Sequence, residues 1–354
     1  MANHTGYNKT FLGKTLSLPA VPKKLCARVK ENGNEIMYTH FSLFLHKTRM
    51  LPIMAAVNIS GEAYSAAPRE GNEPWDYSDQ VDKSYQMDNR FYSNDENTFD
   101  RGHIVRRVDP CWGPPSISVI ADKETFNWAN CTPQHKKLNQ RGGAWFELEQ
   151  HVMENGVKNK MADICVFSGP VLDPNDKIFK KQYQKKDVQI PVQFFKIIVW
   201  KKSNGKLYAV GFLMSQWEWI KDSVKALPRA ALRAKPKLED NYFEKIKFKN
   251  HATYQVPISE IEKLTGIKFN WKNVTFPYRK KQPAKITAQP LQKIISTRTV
   301  TELKEIKSSK STSRLRGLNQ RLATETIGKQ RSAILVATGQ GALIKRYSLR
   351  NITL

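Results

Sequence analysis

A chain of 354 residues with 40% hydrophobic and 10% aromatic content is long enough to bury a sizeable core, which excludes a wholly disordered protein. Its 58 Lys plus Arg against 32 Asp plus Glu leave a net charge of +26, a field that gathers polyanions, nucleic acid first and anionic membrane second. No apolar run approaches the roughly 18 residues of a membrane-spanning helix, and the polar Met1–Thr10 stretch lacks the apolar run of a secretory signal; the expected location is cytoplasmic unless a non-classical route exports the protein.

In chain order, Phe41 to Leu45 and Met54 to Ile59 read as buried strands. The segment Phe99-Asp100-Arg101-Gly102-His103-Ile104-Val105-Arg106-Arg107 reads as a strand with Phe99, Arg101, His103, Val105 and Arg107 on one side. That mixture cannot form a dry core face, so part of it must line a polar groove. Gly102 suits a bulge or a close backbone approach beside the histidine. Taken alone, a histidine beside Asp100 and Arg101 is more often part of a surface ion pair than a catalyst.

Asn130-Cys131-Thr132-Pro133-Gln134 leads through Leu138-Asn139-Gln140 into a helix predicted over Ala144 to Met153, with Trp145, Leu148 and Val152 at core spacing and Glu149 one turn after Trp145. Ile164 to Phe167 reads as a further strand. Phe194 to Trp200 and Leu207 to Met214 flank Ser203-Asn204-Gly205, a hairpin pattern. A helix follows over Ile258 to Leu264, with Ser259 as N-cap and Gly266 as stop. Strands in the majority with few helices predict an α+β fold on a central antiparallel sheet.

From Asn273 onward 17 basic residues stand against 3 acidic ones, a net of +14 out of +26. This places a boundary: one mixed domain over 6–272 and a basic tail over 273–354, with helical turns at Leu291 to Ile306 and Leu315 to Ala323. The tail reads equally as a solvated linker or as an arm for nucleic acid, a membrane or a partner protein such as an inhibitor. Cys26, Cys111, Cys131 and Cys165 are too few and scattered for a disulfide framework and read as free thiols. Cys131-x-x-x-His135 has no Cys-x-x-Cys partner of the kind a zinc site uses.

Asp100 to His103, followed by Asn130 to Gln134, Leu138 to Gln140 and Trp145 to Glu149, resembles the DNA/RNA non-specific endonuclease family, the ββα-metal or His-Me finger nucleases. The likeness extends through Tyr7 to Gly13, Ala56 to Gly61, Phe167 to Pro170 and Ile261 to Gly266. It implies a Mg²⁺-dependent hydrolase of DNA and RNA phosphodiesters with little sequence preference, Mn²⁺ being a substitute ion, and a homodimer as the expected assembly.

The resemblance also implies roles. Asn139 would be the one direct protein ligand of the ion and His103 the general base. Glu149 would orient the ion's waters, and Arg101 would place charge near the phosphate. Arg69 is the candidate for an upstream electrophilic arginine, Arg106 and Arg107 for phosphate contacts, and Asp100 and Asn130 for bracing. Arg141, Gly142 and Gly143 make the gap from Asn139 to Glu149 two residues longer than in the best-known members. The alternative is a nucleic-acid-binding protein of the same fold without turnover.

Overall fold

The computed structural model describes residues 4–276 apart from 31–32, 66, 69–72, 94–98, 159–161 and 221–252. The chain divides into two units, Met1–Ala230 with Leu238–Tyr278, and Ala231–Lys237 with Arg279–Leu354. The second unit, with the helical turns expected at 291–306 and 315–323, lies outside the described residues.

Twelve strands are described: β1 Ile36–Tyr38, β2 Phe41–Leu45, β3 Pro52–Ile59, β4 Phe99–His103, β5 Cys131–His135, β6 Ile164–Val171, β7 Lys177–Ile178, β8 Gln189–Ile190, β9 Gln193–Lys201, β10 Leu207–Ser215, β11 Thr253–Val256 and β12 Val274–Thr275. Eight form one sheet in the order β1-β2-β3-β6-β9-β10-β11, with β12 also on β10. Every pairing is antiparallel except β10 with β12. The expected α+β architecture on a central antiparallel sheet is therefore the one observed.

The central strands are buried on both faces, which is why their sequences run almost continuously apolar rather than alternating. Along β9, Phe194, Ile198 and Trp200 join one core with Val57, Val166 and Phe212, while Phe195, Ile197 and Val199 join another with Met54, Phe167 and Leu213. The second face is covered by Tyr7, Leu12 and Leu16 near the start of the chain and by Ile258, Ile261 and Phe269 near the end of the described residues. Asn8 and Asn58 lock that cover down: Asn8 N donates to Asn58 Oδ1 at 2.7 Å, and Asn58 Nδ2 donates to Asn8 O at 3.2 Å.

The late helix spans Ile258–Thr265 and ends on Gly266 at φ 71, whose N–H reaches Glu262 O. Its N-cap is Pro257 without a side-chain bond, so Ser259 lies inside the first turn rather than capping it. A helix over Pro115–Thr125 has no counterpart among the predicted elements. All four cysteines are free and buried.

The first face carries the candidate site. The helix Ala144–His151 buries Trp145 and Leu148 against it, with Val152 following, and then loosens into a π-helical turn over Val152–Lys158.

Candidate active site

Hairpin β4–β5 is a separate two-stranded ladder with His103 opposite Cys131 and Asp100 opposite Gln134. The strand stops at His103: Ile104 and Val105 are both buried in the first core, so the alternation expected through Arg107 does not continue. No bulge interrupts the register at Gly102. The glycine is needed for close approach, because a Cβ there would stand 2.3 Å from Gln134 Oε1.

Asn130 fixes the chain just beyond the histidine. Fully buried, its Oδ1 accepts from Val105 N, and its Nδ2 donates to Val105 O and Thr125 O, each at 2.9 Å. Both ends of the carboxamide are thereby satisfied, which makes Asn130 a structural brace. On the other strand, buried Gln216 accepts from His135 N at 2.7 Å and donates to Pro133 O at 3.2 Å and Pro191 O at 2.6 Å.

The ring of His103 is packed between Trp75 at 4.6 Å and Phe126 at 4.9 Å, and Trp75 is backed by Trp128 at 5.2 Å. The residue is half-buried, yet Nε2 is closed off and meets no hydrogen-bond partner among the described residues. Burial first, then the charges of Arg107 and Arg101, lower its pKa to about 3. At neutral pH the ring is therefore uncharged.

Asn139 closes the helical turn Lys136–Asn139, and its Nδ2 donates to Asp100 Oδ2 at 3.1 Å. Gln140 Nε2 donates to the other oxygen of Asp100 at 3.2 Å. Asp100 thus ties the turn to the strand that carries His103, with the amide nitrogen of Asn139 directed at Asp100 and its oxygen at the opposite end of the group. The two residues added before the next helix are absorbed by a tight glycine loop: Gly142 has φ 86, and a Cβ on Gly143 would stand 2.3 Å from Leu138 O.

Glu149 is buried and its Oε1 meets Lys196 Nζ at 3.2 Å. Lys196, on β9 and fully buried, also lies 4.2 Å from the centre of the Trp145 ring. Its cross-strand neighbour on β6 is Ser168, whose hydroxyl donates to Ile104 O at 2.9 Å. Two cross-strand neighbours on the sheet therefore reach Ile104, the residue after His103, and Glu149. Buried Asp109 lies in the same field; burial pushes its carboxyl up, Lys196 opposes this and Glu149 adds to it.

The arginines differ. Arg101 is exposed and raises the local positive potential at His103. Arg106 donates to Gln150 Oε1 at 3.0 Å and lies 5.8 Å over Phe146, with Nη1 buried and unpartnered. Arg107 is engaged internally: Nε meets Asp122 Oδ1 at 2.7 Å, and Nη2 reaches Pro68 O at 2.8 Å and Glu73 Oε1 at 3.6 Å. Arg69 lies outside the described residues.

The residues that sequence reasoning missed are Lys196, Ser168, Gln216 and Trp75. A lysine inside Phe194-Phe195-Lys196-Ile197-Ile198 was a readable signal, since a lone charge in a buried strand requires a partner.

The family model described as DNA/RNA non-specific endonuclease matches residues 24–275, which contain this whole constellation. The chain belongs to that family. Among curated proteins, this DNA/RNA non-specific endonuclease family member is 30% identical over 277 residues to an uncharacterized protein, y4fB, of Sinorhizobium fredii, covering 75% of this chain and 38% of that protein. It is 32% identical over 114 residues to a salivary endonuclease of Culex quinquefasciatus, covering 32% of this chain and 28% of that one. The chain thus spans well under half the length of these two relatives. Among solved structures, one described as the EndoG/EndoGI complex, on the mechanism of EndoG inhibition, is similar at TM-score 0.48 and 18% identity, covering 69% of this chain and 89% of that one.

Proposed function

We propose that the protein is a Mg²⁺-dependent endonuclease that hydrolyses phosphodiester bonds in DNA and RNA with little sequence preference. Two observations support this: His103, at the end of β4, is a neutral imidazole, and Asn139 is bonded to Asp100, three residues earlier on the same strand. The net charge of +26 supports a polyanionic substrate held through its phosphates rather than through base edges.

The donor set fits a hydrated ion. Among the described residues no group of three or more His, Cys, Asp or Glu could cage a metal. Mg²⁺ dehydrates reluctantly and is commonly held by one or two protein groups plus waters and phosphate. The Asn139 oxygen would be the direct ligand, and Glu149, fixed by Lys196, would orient the ion's waters from behind. When bound, such an ion would supply positive charge for the phosphate and the departing 3′ oxygen.

His103 takes the proton from the attacking water, and the product carries a 5′-phosphate. Asp100 and Asn130 keep the hairpin and the following loop in place. Arg101 adds positive charge beside the phosphate, Arg106 contacts the strand, Arg107 acts through its field on His103, and Arg69 is the proposed upstream electrophile.

Purified full-length protein with Mg²⁺ should degrade plasmid and RNA, EDTA should stop it, and His103→Ala should be almost inert while folded. Parent-level activity in His103→Ala removes this mechanism. Shifted but uncut nucleic acid, with the parent protein and metal present, points instead to binding without turnover.

A further inference from the structure

A lysine-rich hairpin that the proposed reaction does not use packs against the first residue of β4. Between Lys177 and Asp187 are Lys177, Lys180, Lys181, Lys185 and Lys186, against the single acid Asp187. Lys180, Lys185 and Lys186 are exposed. The nearest upstream carboxylate, Asp176, is buried and pairs with Arg49 at 2.6 Å. Most of the hairpin's positive charge is therefore not offset by its own acids.

Its tip goes against backbone preference. Tyr183 and Lys186 exchange both backbone hydrogen bonds at 2.9 Å around Gln184 and Lys185, which have φ 49 and 63. Such two-residue turns favour Asn-Gly, because side chains crowd the neighbouring carbonyl in the left-handed region. A glutamine and a lysine kept in that conformation point to a use for the side chains at the tip.

The hairpin is also docked on the strand that leads to His103. Phe179 packs 5.7 Å from Phe99, the first residue of β4, and 5.4 Å from Phe91. The Tyr183 hydroxyl accepts from Asp88 N at 3.3 Å. His103 follows Phe99 by four residues, about 13 Å along a strand.

We propose that the Lys177–Asp187 hairpin binds the sugar-phosphate backbone of nucleic acid flanking the cleaved bond, with Lys180, Lys185 and Lys186 each meeting a phosphate. This rests on reading the chain as a nuclease. Lysine suits the task, being a point charge on a flexible stem that reaches phosphate without reading bases.

The test uses the full chain in EDTA and a short labelled duplex, with anisotropy titrations across a range of NaCl. Lys180→Gln, Lys185→Gln and Lys186→Gln combined should flatten the slope of log Kd against log salt by about 2 to 3, near 0.9 per phosphate contact. A control with Lys23, Lys24 and Lys268, all exposed on segments outside the hairpin, changed to Gln should flatten it much less. With Mg²⁺, hydrolysis of bis(p-nitrophenyl) phosphate, too small to reach the hairpin, should be unchanged.

A second variant, Gln184→Asn with Lys185→Gly, relaxes the turn while removing one charge. It should raise Tm and still flatten the slope by about 1, a divergence that a purely structural role cannot produce. Equal flattening in the hairpin and control variants, or in neither, overturns the proposal. So does weaker binding to anionic vesicles with DNA binding intact. Should the parent protein cut nothing, the nuclease reading fails while the duplex titration still decides the hairpin's role.

Discussion

The central strands and hairpin β4–β5 are built on opposite terms. Every residue of β3 and β6 is buried, and ladder pairing on both sides satisfies their backbone groups. Around the hairpin, His103 Nε2, Thr132 Oγ1, both amide atoms of Gln134, Arg106 Nη1 and Trp145 Nε1 are buried and meet no hydrogen-bond partner among the described residues. The sheet thus contributes mainly apolar burial, whereas the hairpin concentrates buried polar atoms beside it.

The sharpest way to break that contrast is a pair of single changes. His103→Ala should lower kcat/KM on plasmid by about 10²-fold to 10⁴-fold, the range of a lost general base, with Tm almost unmoved. Phe167→Ala, in the middle of β6 and fully buried, should cost about 3–5 kcal/mol in denaturant unfolding. It should leave the turnover of the folded fraction near normal. A large Tm loss in His103→Ala would mean that the two regions are not separable.

Lys196, on β9, holds Glu149 of the helix Ala144–His151, so changing it should affect both stability and activity. Lys196→Met leaves Glu149 buried beside Trp145 without its cation, a loss of about 3–5 kcal/mol for a broken buried pair. Adding Glu149→Gln should restore much of the stability and none of the activity. If Lys196→Met instead unfolds at the parent's denaturant midpoint, the pair holds nothing.

How far the sequence made this legible follows the same division. The hairpin of β9 and β10, the stop at Gly266 and the buried stripe of Trp145, Leu148 and Val152 were readable because local pattern and burial agree there. The Pro115–Thr125 helix was not, since Ile117, Val119 and Ile120 are exposed and no apolar stripe marks its inner side. The histidine and the asparagines stood out only as motifs. The partnership of Lys196 with Ser168 depends on the register of two strands distant in the chain, which no local pattern specifies.

A smaller effect tests why the hairpin needs its glycine. Gly102→Ala forces a Cβ into the side chain of Gln134, and overpacking of this kind costs about 1–3 kcal/mol. Because His103 is the next residue, activity should fall more than stability suggests, and Gln134→Ala in the same chain should recover part of both. An unchanged Tm and kcat in the single variant would show that Gln134 turns aside freely.

The least disruptive change probes the aromatic wall. Desolvation is the main reason that the His103 pKa is lowered to about 3, so in the parent this imidazole stays neutral throughout the mildly acidic range. Since the folded pKa lies below the unfolded value of about 6.5, the native state loses stability as pH falls from the higher value toward the lower. Trp75→Ala admits water to one side of the ring and should move its pKa back toward 6.5. At alkaline pH the variant's kcat/KM should stay close to the parent's; as pH falls through about 6 the variant should lose activity while the parent does not. Its stability should also depend less on pH over that window, because protonation then costs the folded state less. Parallel pH profiles for the two proteins would show that Phe126 and the neighbouring arginines, rather than Trp75, keep the base neutral.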